Sequence, residues 1–377
     1  MNRSNITMAQ AKAWSLLSRS YRSGRVASTY LFCGREGVGH WPLAVQFAAL
    51  LNCRETVPSA ENPEVFVPCG VCVQCRNIFA LNFPGLHLIV PIPSHKNLGE
   101  AIDLTNAFLD EKRAEPYKLL SSETAVSIPI LLAREVKQAL SRKGTEGTTR
   151  VVLFYQMEKM LPSSADALLK LIEEPSPDTV IILTAERPES LLPTIQSRAQ
   201  KIKLGRVPEQ VTASYLREHY KVSDTRARLL ARLSEGVLGQ AIELASVEED
   251  EELSRRAVGF LLFKSLFVDR NPETIGHLVE LLERSGRSEA EELLRLWQSL
   301  VRDCVYYAVT GSDAEFVNVD FGSDLVKFAR SFDDPKVAVA MTDRIKNTLA
   351  DLRRNVHIQS ALVSLSLRLK ADLQVSG

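Results

Sequence analysis

The chain has 377 residues, more than one ordinary core holds, so two or three domains are expected. A hydrophobic share of 45% and a charged share of 24% are those of a globular protein and exclude a disordered or fibrous chain. With 46 basic against 46 acidic residues there is no global polyanion-binding signal, so any DNA contact has to come from a local patch or from partners. No apolar leader follows Met1-Asn2-Arg3-Ser4-Asn5, and the most apolar run, residues 257–268, is short and broken by Lys264. Neither a signal peptide nor a membrane span is expected, and the cytoplasm is the expected compartment.

In chain order, a short buried strand is predicted at residues 30–33, followed by the loop Gly34-Arg35-Glu36-Gly37-Val38-Gly39-His40-Trp41 and a helix from about 43 to 51. Four of the six cysteines crowd into residues 53–75. Further strands are predicted at 86–90, 150–155 and 179–184. Between them lie a helix over 130–143, with Ile130, Ala133, Val136 and Leu140 on one face, and a helix over 163–175, opened by Ser163 with Asp166 and stopped by Pro175. Strand and helix alternating in this way imply a parallel sheet covered on both faces. After about residue 205 the strand signal fades. A small helical unit is predicted at 223–245, broken near Gly236 and Gly239, then an acidic run at 248–252 that reads as a linker or a solvated helix start. The remainder is helical, with amphipathic stretches at 289–308 and 338–369.

The glycine spacing of the loop is that of a phosphate-binding P-loop, in which backbone amides at a helix start cradle an anion. Its last two positions lack the chemistry. A working loop ends in Lys, which reaches the β/γ-phosphates, and Ser or Thr, which ligates Mg²⁺. Here they are His40, largely neutral at pH 7, and Trp41, which has no oxygen. Where an ATPase places Asp and Glu after the strand at 150–155, this chain has Tyr155 and Gln156, and Glu158 lies two residues too far along to substitute. Four missing groups together imply that hydrolysis has been abandoned.

Cys53, Cys69, Cys72 and Cys75 have the spacing of a structural metal site, since four thiolates close a Zn²⁺ tetrahedron and leave no position for a substrate water. His87 is a substitute ligand in principle and a strand residue by pattern. Ser197-Arg198 follows a strand-helix unit. By itself an arginine in a loop is a solvated surface residue.

Taken together, these blocks resemble the delta-prime family of bacterial DNA polymerase III clamp-loader subunits, in the AAA+ superfamily. The resemblance is strongest over residues 30–204. It rests on Tyr30-Leu-Phe-Cys-Gly-Arg-Glu-Gly-Val-Gly39, the cysteine module, Met157-Glu-Lys-Met160, Leu168-Leu-Lys-Leu-Ile-Glu-Glu-Pro175 and Leu191-Leu-Pro-Thr-Ile-Gln-Ser-Arg198. It implies an α/β AAA+ domain with a parallel sheet over residues 1–205, carrying an inserted four-cysteine zinc module at about 53–75. It also implies a small helical lid at 206–248 and an all-α collar domain at 249–377 that holds subunits in a ring.

By the same resemblance, Cys53, Cys69, Cys72 and Cys75 are Zn²⁺ ligands. Arg198, with Ser197 in its motif, is an arginine finger directed at the ATP site of an adjacent subunit. Gly34, Gly37, Gly39 and His40 form a relic phosphate loop for ATP or ADP. Thr184 ends the sensor-one strand, and Gly239 stands where active subunits carry a sensor-two Arg. The implied partners are gamma/tau motor subunits and a delta subunit in a hetero-pentameric ring, with the sliding clamp reached indirectly and primer-template DNA through the assembled complex. The alternative is an ATP-hydrolysing gamma/tau-type motor subunit. A zinc-module nucleic-acid binder ranks last, because only Arg76 and Arg54 lie near the cysteines. The chain departs from the family pattern at Ala199, which replaces the motif's Cys, in the long gap between Cys53 and Cys69, and in a long stretch at 94–127 with no assigned role.

Overall fold

In a computed structural model of the chain, the described residues are 8–59, 62–95, 97–119, 126–129, 135–136, 138–140, 147–160, 172, 175–176, 178–247, 249–264, 286–330, 335–354 and 356–374. The chain divides into two compact units, Met1–Leu244 and Ala245–Gly377.

The first unit is built on five parallel strands, β1 (Thr29–Cys33), β2 (Leu86–Ile89), β3 (Arg150–Phe154), β4 (Thr179–Ala185) and β5 (Gln200–Lys203), in the order β2-β3-β4-β1-β5. All four strands expected from sequence are present. β5 is the addition: of its four residues only Ile202 is buried, so it carries no apolar run, and its lysines suit a sheet edge. Side chains alternate across the sheet. Tyr30, Phe32 and Ile182 face α1 (Ala11–Arg22) and α2 (His40–Asn52), while Leu31, Ile181, Leu183 and Phe154 meet Leu191 and Ile195 on the other side. Every residue of α2 except Leu51 is buried, which marks it as the central helix of the unit.

After α2 a two-stranded ribbon pairs Val57–Pro58 with Phe66–Val67 and leads into α3 (Val73–Phe79). Within the stretch at 94–127, residues 97–119 and 126–127 are also structured. Ile92–Pro93 pairs antiparallel with Val126–Ser127, and between them runs α4 (Leu98–Ala114), whose first turn is capped by Asn97 Oδ1 accepting the Glu100 amide at 3.0 Å. Then come α5 (Pro193–Arg198), α6 (Glu209–Tyr220), α7 (Asp224–Leu233) and α8 (Leu238–Ser246), with α6 not anticipated. Of the helix expected at 130–143 only residues 135–136 and 138–140 are described. The one expected at 163–175 lies outside the described residues apart from Ile172 and Pro175.

The second unit is helical: α9 (Glu249–Phe263), α10 (Arg287–Thr310), α11 (Gly322–Ala329), α12 (Pro335–Arg353) and α13 (Ile358–Gln374). Residues 249–252 of the acidic run form the start of α9. Trp297 anchors the core with Phe263, Leu294 and Met341, and its indole N–H donates to Gly259 O at 2.9 Å. The stretch at 338–369 is two helices. The chain turns after Arg353, the amides of Arg354 and Val356 folding back onto Asp351 O, while the Arg287 guanidinium donates to Leu352 O and Val356 O at that helix end. Asp303 is fully buried and accepts the amides of Val317 (3.1 Å) and Asn318 (2.8 Å), which pins the loop after α10.

Candidate functional site

The glycine-rich loop at 34–39 joins β1 to α2, between a strand and a helix as predicted. Gly37 and Gly39 have φ of 82° and 118°, a region closed to most side chains, and Gly39 is the N-cap of α2. What approaches these glycines is protein. A Cβ at Gly37 would lie 2.7 Å from Leu119 Cδ2 and 2.9 Å from Val237 Cγ1, and one at Gly39 would lie 3.0 Å from Tyr117 Cε1. Gly239, at the start of α8, donates its amide to Gly37 O at 2.9 Å, and a Cβ there would sit 2.6 Å from Tyr117 O. The loop is thus covered by α8, by Val237 just before it, and by the turn after α4.

His40 and Trp41 turn inward. Trp41 is 2% exposed and packs edge-on against Phe108 and Tyr155, with ring centres 5.6 and 5.4 Å away. Lys112 of α4 is buried over the Phe108 and Tyr155 rings, its ammonium donating to Lys118 O, and burial lowers its pKa to about 8. The His40 pKa is pushed down to about 4, first by burial and then by the Lys112 ammonium, so the ring is neutral. Its Nε2 has no hydrogen-bond partner among the described residues.

At the ends of β3 and β4 the arrangement is structural. Gln156 takes a left-handed conformation (φ 55°) and donates its backbone N–H to Thr184 Oγ1 at 2.8 Å. Glu158 Oε1 accepts the Glu186 amide at 2.9 Å, tying together the loops after β3 and β4. Burial raises the Tyr155 pKa far above its ordinary value, so the phenol stays neutral. The notch left between Glu36, His40, Tyr155, Gln156, Glu158 and Thr184 has a volume of about 10 Å³, room for about one water, whereas ligand pockets run to several hundred Å³.

The four cysteines of the module come together. The Sγ atoms of Cys53, Cys69, Cys72 and Cys75 all lie within 4.8 Å of one another. Backbone amides aim at the sulfurs: Cys69 N donates to Cys53 Sγ (3.2 Å), Cys72 N to Cys69 Sγ (3.3 Å) and Cys75 N to Cys72 Sγ (3.5 Å). At Cys72 burial raises the thiol pKa, but the Arg54 and Cys75 amides and neighbouring thiols outweigh it and bring the value down to about 6. Such amide–sulfur bonds favour thiolate, the form that ligates metal, whereas at Cys53 and Cys75 burial outweighs them and raises the thiol pKa. Cys53 joins the cluster despite its long separation. His87 is a strand residue of β2 and is not part of it.

Arg198 closes α5, a six-residue helix opened by Pro193 and anchored by buried Ile195. Arg198 and Ser197 are exposed, and each donates to Thr194 O, at 3.2 and 3.1 Å. No described helix is long and apolar enough to cross a membrane.

A family profile described as DNA polymerase III, delta subunit, matches residues 9–208, from α1 through β5. The DNA polymerase III subunit delta' of Bacillus subtilis (strain 168) is 27% identical over 249 residues, covering 66% of this chain and 63% of that protein. The subunit tau of Escherichia coli (strain K12) is 28% identical over 263 residues, covering 68% of this chain and 35% of tau. The chain therefore spans under two thirds of the length of these curated relatives. Among solved structures, a DNA polymerase III gamma subunit-related protein from Thermotoga maritima aligns over 90% of this chain and 98% of its own at 17% identity, with a TM-score of 0.37. With a profile matching more than half its length and delta' proteins among its relatives, the chain belongs to the DNA polymerase III delta-prime clamp-loader family.

Proposed function

We propose that this chain is a non-hydrolysing subunit of the bacterial DNA polymerase III clamp loader, completing the loader ring and lending Arg198 to the ATP site of a neighbouring motor subunit. The observation that carries the reading is the pairing of a phosphate loop filled from within by Trp41, Tyr117 and Leu119 with an arginine left exposed at the end of α5. A guanidinium presented in trans stabilises charge on the transferring phosphoryl group, an effect of ~10³–10⁵ in rate. Its planar fork suits that task, and the short, Pro-started helix limits where it can point.

In this reading residues 1–205 are the AAA+ domain, 206–248 the lid and 249–377 the collar that engages gamma/tau and delta subunits. The sliding clamp and primer-template DNA are then met through the assembly. The four thiols suit Zn²⁺ in number, softness and proximity; the metal would cross-link the ribbon to α3, and Cys53, Cys69, Cys72 and Cys75 would hold it. The similarity to tau favours a second reading, an active motor subunit. Against it stand His40, Trp41, Tyr155, Gln156 and Gly239.

The test compares ATP turnover by the purified chain, by a gamma/tau motor subunit, and by the two mixed with primed DNA and clamp. The expected result is no turnover by the chain alone and a rate in the mixture well above that of the motor. Turnover by the chain alone at motor-like rates would overturn the reading.

A further inference from the structure

The stretch at 94–127 is longer than the family pattern, and its residues 108–119 make the contacts that close the relic nucleotide site. α4 supplies Phe108 and Lys112, which pack with Trp41 and Tyr155 beneath the loop. The turn after it supplies Tyr117 and Leu119, which lie on Gly39 and Gly37. The same turn reaches the helices after the sheet. The Tyr117 ring packs edge-on against Tyr215 of α6 at 5.4 Å, and Tyr220 at the end of α6 donates its hydroxyl to Glu115 at 2.7 Å. Gly239 of α8 then bonds directly to Gly37 O. One short segment thus touches the phosphate loop on one side and the helical lid on the other.

In a nucleotide-driven domain that bridge is the ligand, and the lid follows ligand occupancy because the ligand contacts the two states differently. We propose that residues 98–119 are an internal ligand of the relic site: they take the place of nucleotide, hold α6 and α8 on the phosphate loop permanently, and make the lid position independent of ATP and ADP. The glycines at 37, 39 and 239 are then needed for close approach of protein to protein. The inference extends the proposed function, on which it rests for the identity of the site, and it can fail separately: a chain that bound ATP without hydrolysing it would end the internal ligand and leave the role of Arg198 untouched.

The test is amide hydrogen exchange on the full chain, read at residues 37–39 and 238–246 (and, for Tyr220→Phe, also at 209–220), with and without MgATP or MgADP. In the wild type neither nucleotide is expected to change exchange there. In the Tyr117→Ala/Leu119→Ala variant both segments are expected to exchange at least about tenfold faster, while the strand Thr179–Ala185 keeps its protection. Tyr220→Phe, which removes only the hydroxyl bond to Glu115, keeps the test readable if the double variant does not fold, and is expected to speed exchange in α6 and α8 alone. Added protection of residues 37–39 by nucleotide in the wild type would overturn the proposal, as would unchanged exchange at the loop and lid in the double variant or unchanged exchange in α6 and α8 in Tyr220→Phe.

Discussion

Restoring the two missing loop residues, His40→Lys with Trp41→Thr, is expected to destabilise the chain and to yield no ATPase. Trp41 is 2% exposed and sits in two aromatic contacts, so replacing it with Thr removes most of a large buried side chain, a loss of about 3–5 kcal/mol. The lysine at position 40 would bring an ammonium into a site that already neutralises the native imidazole and faces the Lys112 charge, adding several kcal/mol of desolvation and repulsion. Against a typical total of about 5–15 kcal/mol, the double variant is left marginal or unfolded. Tyr155 and Gln156 would still supply no Mg²⁺ ligand, and Tyr117 and Leu119 would still cover the loop. Urea denaturation and phosphate release measure both effects. A double variant with the wild-type denaturation midpoint and measurable turnover would refute the reasoning, because it would mean that the pocket is open and merely unequipped.

Three further outcomes follow from the geometry. Metal analysis is expected to return about one zinc per chain, and Cys72→Ser to lose it together with chelator-sensitive order in residues 53–79; a metal-free chain with an ordered module would remove the site. The His40 pKa lies near 4 in the fold against 6.5 for the ordinary side chain, so the unfolded state binds more protons between those values. Stability is therefore full above about pH 6.5 and falls as pH drops through 4, by about 3 kcal/mol in all, a slope that His40→Gln should flatten in denaturation midpoints taken across that range. In the helical unit, Arg256 makes a two-pronged, largely buried bond to Asp320 at 2.8–3.0 Å and covers the Phe321 ring. Arg256→Ala should cost about 1–3 kcal/mol by thermal or urea unfolding, and an unchanged midpoint would show the pair to be inert.

The sheet was readable because its strands are buried on both faces and so appear as unbroken Val/Ile/Leu runs, as in Thr179–Ala185. β5 escaped because Gln200, Lys201 and Lys203 face outward and one isoleucine makes no pattern. The cysteine spacing announced the thiol cluster, even across the long gap after Cys53, because the antiparallel ribbon brings that residue back to Cys69. The residues that end the loop and β3, His40, Trp41, Tyr155 and Gln156, were legible one at a time. What filled the space was not, since Trp41 meets Phe108 and Tyr155, and Gly37 meets Leu119 and Gly239, across separations that no local pattern encodes. The glycines of the loop were found for their spacing, while the groups that crowd them come from α4, its following turn and α8.

The most direct measurement is DNA- and clamp-stimulated ATP turnover of the reconstituted loader containing this chain as wild type or as Arg198→Ala. Arg198 is exposed, so the substitution should leave the unfolding midpoint of the chain and its incorporation into the assembly intact. The account predicts that turnover at the adjoining site falls by ~10³ or more, about 4 kcal/mol of transition-state stabilisation, with Arg198→Lys restoring only a small part. Equal turnover by the wild-type and alanine assemblies would contradict it.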